Sequence, residues 1–439
     1  MKFLHAFLKH LSNRDNGIPL VIINLLLFAA ILFFPVKAKV LGDQDFHIEA
    51  KSIAAYLHGL NSYNEISITK APGPVLFYTL PYFLAGKNPS DVRLVNFARV
   101  WICVLSTIFL FWAYKSLLRI FSAQISNIFA LFVFIIPLHV YYSMGILAEG
   151  PAFLSVLLII IGFIKFQKKE GFWTFVLGLI FLVLSRPNSI LCLPIIFSLG
   201  LYYWYFKKRP MSGKYLLASV YAGLVIVLIT TFVKMLPNER QTLNQETYLA
   251  YVIHIGRFQF RTEEFDWRFW DGNNRSDSRD YQNYISSVHA LESQIENSND
   301  SKSGVYYDWI IRDLKEHPFM AVKQFFVRII FGNTLRINSI STDSFSIFGI
   351  KGKTVYYAIT IALNIINYLI LLLALFFIIQ KSSWKKYWPL ISIILAIWIF
   401  NGIVYIEQRY LFPTRPIIYF LASFGFLLLT KKDNEPIAA

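Results

Sequence analysis

The sequence predicts an all-α integral membrane protein with about ten transmembrane helices, extracytoplasmic juxtamembrane helices and one larger outer loop region. Apolar residues make up 56% of the 439 residues and charged residues only 15%, whereas soluble domains have nearer a quarter of their residues charged. Apolar runs long enough to cross a bilayer recur along most of the chain, and short basic clusters separate them.

A membrane span needs roughly 20 apolar residues, which rise about 30 Å as a helix; the fifth predicted span, of about 14 residues, rises only about 21 Å. In chain order the spans are Ile18–Val36, Val92–Leu118, Ile125–Met144, Pro151–Phe166, Phe172–Ser185, Pro187–Phe206, Tyr215–Leu236, Val355–Ile379, Tyr387–Val404 and Tyr410–Thr430. Because no small-residue cleavage site follows the first run, we expect a retained helix and not a removed signal peptide.

The distribution of basic residues supports ten spans. With the N-terminus inside, the inner loops carry Lys115, Arg119, Lys165, Lys168, Lys169, Lys207, Lys208, Arg209, Lys214, Lys381, Lys385, Lys386, Lys431 and Lys432. A single helix over residues 172–206 would move every later cluster outside, against the positive-inside rule. We therefore expect a protein of the inner or plasma membrane with both termini cytoplasmic, whose net charge of +16 reflects topology and not nucleic-acid binding.

The predicted layout divides the chain into three consecutive parts. Residues 1–236 form an N-terminal transmembrane module whose first outer loop, 37–91, is the predicted catalytic segment. Residues 237–353 form an extracytoplasmic loop region with surface helices, and residues 354–439 contain the C-terminal transmembrane helices.

The loop region itself has two kinds of sequence. Residues 271–304 are rich in Asn, Ser and Asp, which predicts a flexible surface loop. Tyr306–Leu314 and Phe319–Phe331 have apolar residues at helical spacing, which predicts amphipathic helices on the membrane surface.

Charged residues gather on the predicted outer side, where they are costly near a bilayer and therefore candidates for function. The acidic and neighbouring candidates are Asp43, Asp45, His47, Glu49, Glu149 and Glu407, and the basic candidates are Lys70, Arg186 and Arg409. Lys and Arg bind phosphate, and a carboxylate can activate a hydroxyl nucleophile. The set therefore indicates a site for an anionic head group with a proton acceptor.

Each candidate also has a purely structural interpretation that the sequence leaves open. The acids could stabilise helix N-termini, the arginines could extend to the interface, and Lys70 could be an ordinary surface lysine. Cys103 and Cys192 lie in apolar runs without neighbours at metal-ligand spacing. We expect no cofactor and no metal, although Asp43-x-Asp45 has the ligand chemistry for a divalent ion.

Several short motifs resemble, in order and sidedness, the GT-C superfamily of membrane glycosyltransferases, especially the protein O-mannosyltransferases and the lipid A aminoarabinose transferase. The similar segments are Gly42–Ala50, Lys70–Pro74, Arg93 with Arg99, Glu149, Arg186-Pro187 and Glu407–Pro413, within residues 18 to 200 and 305 to 430. The chain departs from the family pattern at Gln44, where Glu is common, and at His47, where Tyr is usual.

The resemblance implies inverting transfer of a sugar from a polyprenyl-phosphate carrier at the outer membrane face. Its implied catalytic residues are Asp43 as the base, Asp45 as a substitute acid, and Glu149 near the acceptor or sugar ring. It also implies that Lys70, Arg186 and Arg409 bind the donor phosphate, with Glu49, His47 and Glu407 in support. The partners would be this donor, membrane lipids, and a lipid, glycan or protein acceptor bearing a hydroxyl or phosphate.

Other protein classes remain open at this point. A polytopic O-antigen or polysaccharide ligase or polymerase would use lipid-diphosphate donors, and we would expect its Arg and His in the large loop. A lipid-linked-saccharide transporter would place ionisable groups near the middle of the membrane, where this sequence is almost wholly apolar and aromatic. A structural or assembly protein would need none of the candidate site.

Overall fold

The computed structural model shows a helical chain. It describes residues 15–32, 44–63, 66, 68, 70–143, 145–166, 168–234, 245–262, 277–297, 301–335, 346–347, 350–404, 406 and 408–430.

Among the described residues, the first half of the chain has ten helices. They are α1 (Gly17–Leu32), α2 (Gln44–Leu57), α3 (Pro72–Leu84), α4 (Asp91–Ile120), α5 (Ala123–Ile135), α6 (Leu138–Tyr142), α7 (Glu149–Phe166), α8 (Phe172–Ser185), α9 (Cys192–Leu201) and α10 (Pro210–Lys234). A 3-10 turn, Pro187–Leu191, precedes α9, and a π-helical turn, Tyr202–Phe206, follows it.

In the described part of the second half, four helices and a small hairpin come first. These are α11 (Gln245–Gly256), α12 (Arg279–Asn297), α13 (Lys302–Glu316) and α14 (Pro318–Asn333), then β1 (Ser346–Ile347) paired antiparallel with β2 (Ile350–Lys351). Three helices follow: α15 (Gly352–Ile379), α16 (Lys381–Ile403) and, after a 3-10 turn at Gln408–Thr414, α17 (Arg415–Thr430).

The predicted fold class is confirmed: the chain is an all-α, multi-pass membrane protein. Among the described residues, seven helical segments are long and apolar enough to cross a membrane, and three shorter apolar helices, Gly17–Ala30, Ala123–Ile135 and Phe172–Ser185, lie at predicted spans. The third predicted span is interrupted at Pro137, which separates α5 from α6 because proline cannot continue the helical hydrogen bonding.

The expectation of a flexible loop over residues 271–304 is wrong for the part that forms α12. Tyr284 and Leu291 on α12 are buried, and Ile285 and Val288 pack beside Tyr284. Their spacing of three to four residues places them on one helical face. The polar residues between them concealed this pattern in the composition.

The chain divides into two compact units, which are described separately. Unit 1 comprises residues 1–240, 365–396 and 412–439, and unit 2 comprises residues 241–364 and 397–411. In unit 1, α7 is enclosed by other helices: 89% of the residues in its membrane-spanning stretch are buried. In α10, only 22% of the residues in the corresponding stretch are buried. Large apolar side chains therefore project outward from α10, as they would toward lipid.

Candidate functional site

A closely packed hairpin of α7 and α8 fixes the position of the candidate site. A Cβ added to Gly162 would lie 2.5 Å from the Phe175 nitrogen, and one added to Gly178 would lie 2.6 Å from Ile159 Cγ1. Small residues of this kind let membrane helices approach closely. From the Gly162–Phe175 contact, Glu149 is about 20 Å along α7 and Arg186 about 17 Å along α8 in the same direction. The register therefore brings these two residues to one end.

Glu149 and Arg186 form an ion pair at this end of the hairpin. Glu149 is the first residue of α7 and is completely buried, and Arg186 Nη2 donates a hydrogen bond to its Oε1. The Arg186 side chain keeps 13% of its surface exposed. The buried carboxylate thus orients an arginine side chain that is not fully buried, which is an arrangement suited to an anionic ligand.

Helix α3 lies against the same end of the hairpin. Pro72 starts α3, and a Cβ at Gly73 would lie 2.6 Å from the Leu184 carbonyl carbon, so only glycine permits this approach. The adjacent Ser185 is buried, and its hydroxyl has no hydrogen-bond partner among the described residues. Lys70, two residues before α3, is exposed near this point of contact.

Tyr78 links α3 to the segment before α7. Its hydroxyl donates a hydrogen bond of 2.7 Å to the Leu147 carbonyl oxygen. Burial, together with the nearby Tyr82 and Glu149, raises the pKa of Tyr78 well above its ordinary value. Tyr78 therefore stays protonated and acts as a hydrogen-bond donor.

A second polar group lies one turn along α3 at Tyr82. The Tyr82 hydroxyl and His47 Nδ1 form a hydrogen bond of 2.7 Å, and His47 Nε2 lies 3.3 Å from Asp91 Oδ1. Lys51 Nζ donates to the same Asp91 oxygen at 2.8 Å. Burial lowers the pKa of His47 although Asp91 acts in the opposite direction. These contacts attach the first turns of α2 to the start of α4.

The structure brings together only part of the predicted set. Glu149 and Arg186 are in contact, Lys70 is exposed two residues before α3, and His47 and Glu49 are buried on α2. Arg409 belongs to unit 2, where its guanidinium carbon lies 5.8 Å from the Tyr410 ring centroid. Asp43, Glu407 and the side chain of Asp45 lie outside the described residues, so their roles stay predictions.

Three residues at this end were not predicted as site candidates from the sequence, namely Tyr78, Tyr82 and Asp91, and a fourth, Arg99, entered only as part of the family resemblance. The two tyrosines are four residues apart on α3, which was a usable signal for one helical face. Arg99 is 1% exposed on α4, one turn before Ile102, whose Cδ1 would be 3.1 Å from a Cβ at Gly150. A buried arginine inside a span is a functional candidate by itself.

One polar network lies within the spans of unit 1, although the sequence there is almost wholly apolar. Asn24 Nδ2 donates to Thr107 Oγ1 at 2.8 Å, and Asn24 Oδ1 lies 2.9 Å from His139 Nε2. The His139 ring stacks on Phe153 at 4.9 Å. The network joins α1, α4 and α6 beside the Pro137 interruption, as polar side chains do between membrane helices.

Unit 2 has its own charged cluster around Asp313. Arg257 Nε and Arg261 Nη1 donate to its two oxygens at 3.1 and 2.8 Å. Burial raises the pKa of Asp313, but the two arginines outweigh it and leave the pKa below its ordinary value. Burial and the charge of Arg257 lower the pKa of the neighbouring His254 to about 3. Asp313 therefore fixes the turn after α11 to α13.

Metal ligation receives no support from the described part of the chain, which contains no group of three His, Cys, Asp or Glu side chains able to hold an ion. Comparison with protein families, with curated proteins and with solved structures finds no match.

Proposed function

We propose that the protein is a membrane glycosyltransferase of the GT-C type that moves a sugar from a polyprenyl-phosphate carrier to an acceptor at the extracytoplasmic face. The observation that carries the proposal is the Glu149–Arg186 pair. It sits at one end of a membrane-spanning hairpin, beside the start of α3, and the exposed Lys70 precedes that helix by two residues. An arginine side chain that keeps 13% of its surface exposed at a membrane boundary suits the phosphate of a lipid-linked donor.

Membrane orientation follows from charge. Lys165, Lys168 and Lys169 lie at the opposite end of α7 from Glu149. The positive-inside rule assigns that end to the cytoplasm. The Glu149 end then faces outward, with both termini cytoplasmic and the protein in the inner or plasma membrane.

In the proposed reaction, the oxygen of the acceptor hydroxyl attacks the anomeric carbon of the sugar while Asp43 removes the hydroxyl proton. The bond from that carbon to the phosphate oxygen breaks, its electron pair stays on the polyprenyl phosphate, and the configuration inverts. Arg186 and Lys70 stabilise the charge that grows on the phosphate. Because Glu149 is buried against Arg186, we assign it to positioning this guanidinium.

The Arg186→Gln variant tests this assignment. We expect its turnover of a polyprenyl-phosphate sugar to fall about 100-fold, since one charge-stabilising donor is lost. Arg312→Gln is the matched control: Arg312 is exposed on α13 in unit 2, outside the candidate site, and its loss should leave turnover unchanged. Thermal unfolding confirms that each variant is folded. Equal turnover in a folded Arg186→Gln protein would exclude the phosphate-binding role.

One observation favours a second candidate, a lipid-linked-saccharide transporter. The Asn24–His139 network lies inside the spans beside an interrupted helix, and transporters place polar groups at such interruptions. The two candidates differ in outcome: a transporter moves its lipid-linked sugar intact, whereas a transferase consumes it.

A further inference from the structure

One face of α4 changes from apolar to basic toward its C-terminal end. Ile108, Phe111, Trp112, Lys115, Ser116 and Arg119 line a cavity of about 320 Å³. Their spacing of three and four residues places them on a single helical face, about 17 Å from Ile108 to Arg119. The cavity therefore has an apolar part and a basic part, arranged along the membrane normal.

One further cation, from α7, and one carboxylate, from the residues before α1, lie beside the basic part. Lys165 on α7 lies 4.7 Å from the Trp112 ring centroid, and Lys115 pairs with Asp15 before α1. Arg119 is exposed and makes no hydrogen bond or ion pair with any residue that the structure describes. Three cations face one carboxylate, so the cavity mouth has a net positive charge.

The basic end of the cavity lies away from the Glu149–Arg186 pair. Because Ile102 lies beside Gly150 and Trp112 lies beside Lys165, α4 and α7 run in parallel. Arg119 is about 25 Å along α4 from Ile102 at 1.5 Å per residue, which is most of the roughly 30 Å hydrocarbon core. The basic end of the cavity is thus toward the other membrane boundary and is separate from the proposed transfer site.

We propose that this cavity binds one anionic glycerophospholipid of the surrounding bilayer. The phosphate would meet Arg119, Lys165 and the Ser116 hydroxyl, and an acyl chain would lie along Trp112, Phe111 and Ile108. Basic side chains beside an apolar, tryptophan-lined surface match an amphiphile with a negatively charged head. Charge complementarity selects an anionic lipid over a zwitterionic one.

Native mass spectrometry of the purified full-length protein tests the site, with phosphatidylglycerol and phosphatidylcholine as probes. We expect one phosphatidylglycerol to bind in preference, and Arg119→Gln and Lys165→Gln each to weaken it about fivefold. Lys168→Gln is the matched control: Lys168 is exposed in the same cytoplasm-assigned cluster but, unlike Lys165 beside Trp112, has no described contact with a residue that lines the cavity.

Three results would overturn the proposal. They are equal binding of the two lipids, unchanged affinity in both cavity variants, or an equal loss in Lys168→Gln, which would indicate diffuse attraction. A polyprenyl phosphate serves as a further probe: its binding in place of phosphatidylglycerol would also contradict the assignment. Arg119→Lys retains the positive charge and should keep most of the affinity for phosphatidylglycerol. This result would show that the loss in Arg119→Gln comes from the missing charge and not from a folding defect.

Discussion

At the scale of single residues, the clearest property of the protein is that buried charges have defined partners. Glu149 is held by Arg186 in unit 1, and Asp313 is held by Arg257 and Arg261 in unit 2. A buried carboxylate without such partners would be strongly destabilising. These pairs therefore fix local geometry, and at Glu149 they also orient a group suited to ligand binding.

His254 gives a pH-dependent test of this account in unit 2. The folded chain holds the pKa of His254 at about 3, whereas the unfolded chain titrates near 6.5. As the pH falls, the unfolded state therefore binds the extra proton first. The contribution of neutral His254 to the free energy of unfolding is complete above about pH 6.5 and declines as the pH falls toward about 3.

We expect the free energy of local unfolding of α11 to fall by about 1 kcal/mol between about pH 7.5 and about pH 5.5. Hydrogen exchange of residues 250–256 measures it, after correction for intrinsic rates. The His254→Gln variant should lose less stability over the same range. Identical pH profiles for the two proteins would contradict the assigned titration.

At the scale of helices, glycines decide which elements meet. Gly162 and Gly178 set the α7–α8 register, and Gly73 allows α3 to contact the end of α8. The spans themselves were predictable, because length and hydropathy specify them. The pairing of Glu149 with Arg186 was not, since it depends on a register fixed by backbone contacts between helices.

Gly73→Ala tests the role of this contact. The new methyl group would overlap the Leu184 backbone, so α3 must move away from α8, at a cost of about 1–3 kcal/mol. We expect a lower thermal midpoint and slower sugar transfer. Gly223→Ala on α10 is the matched control, because its nearest neighbour is 3.9 Å away. Equal stability of the two variants would show that the contact is unimportant.

Sequence patterns also failed at specific elements for physical reasons. The predicted sidedness of Glu149 and Arg186 agrees with their observed contact, but α12 was missed because polar residues hide its apolar face. The His47–Tyr82–Asp91 group joins three helices. No local pattern specifies such a group, since it requires the tertiary packing of α2, α3 and α4.

At the scale of the whole molecule, the fold and the proposed function depend on different observations. Among the described residues, seven apolar helices long enough to cross a membrane, with three shorter apolar helices, establish a multi-pass membrane protein, independently of any activity. The proposed chemistry depends on charged groups at one membrane boundary, of which Glu149 and Arg186 are in contact. The proposed base, Asp43, lies outside the described residues, so its role rests on the family resemblance alone.

The most direct test incubates the purified protein, in lipid nanodiscs, with a panel of polyprenyl-phosphate hexoses and pentoses. We predict that one donor is consumed with release of polyprenyl phosphate, and that Asp43→Asn slows this release by about 10² to 10⁴. If every donor remains intact, the proposed sugar transfer is contradicted. If Asp43→Asn releases polyprenyl phosphate at the wild-type rate, the assignment of Asp43 as the base is contradicted.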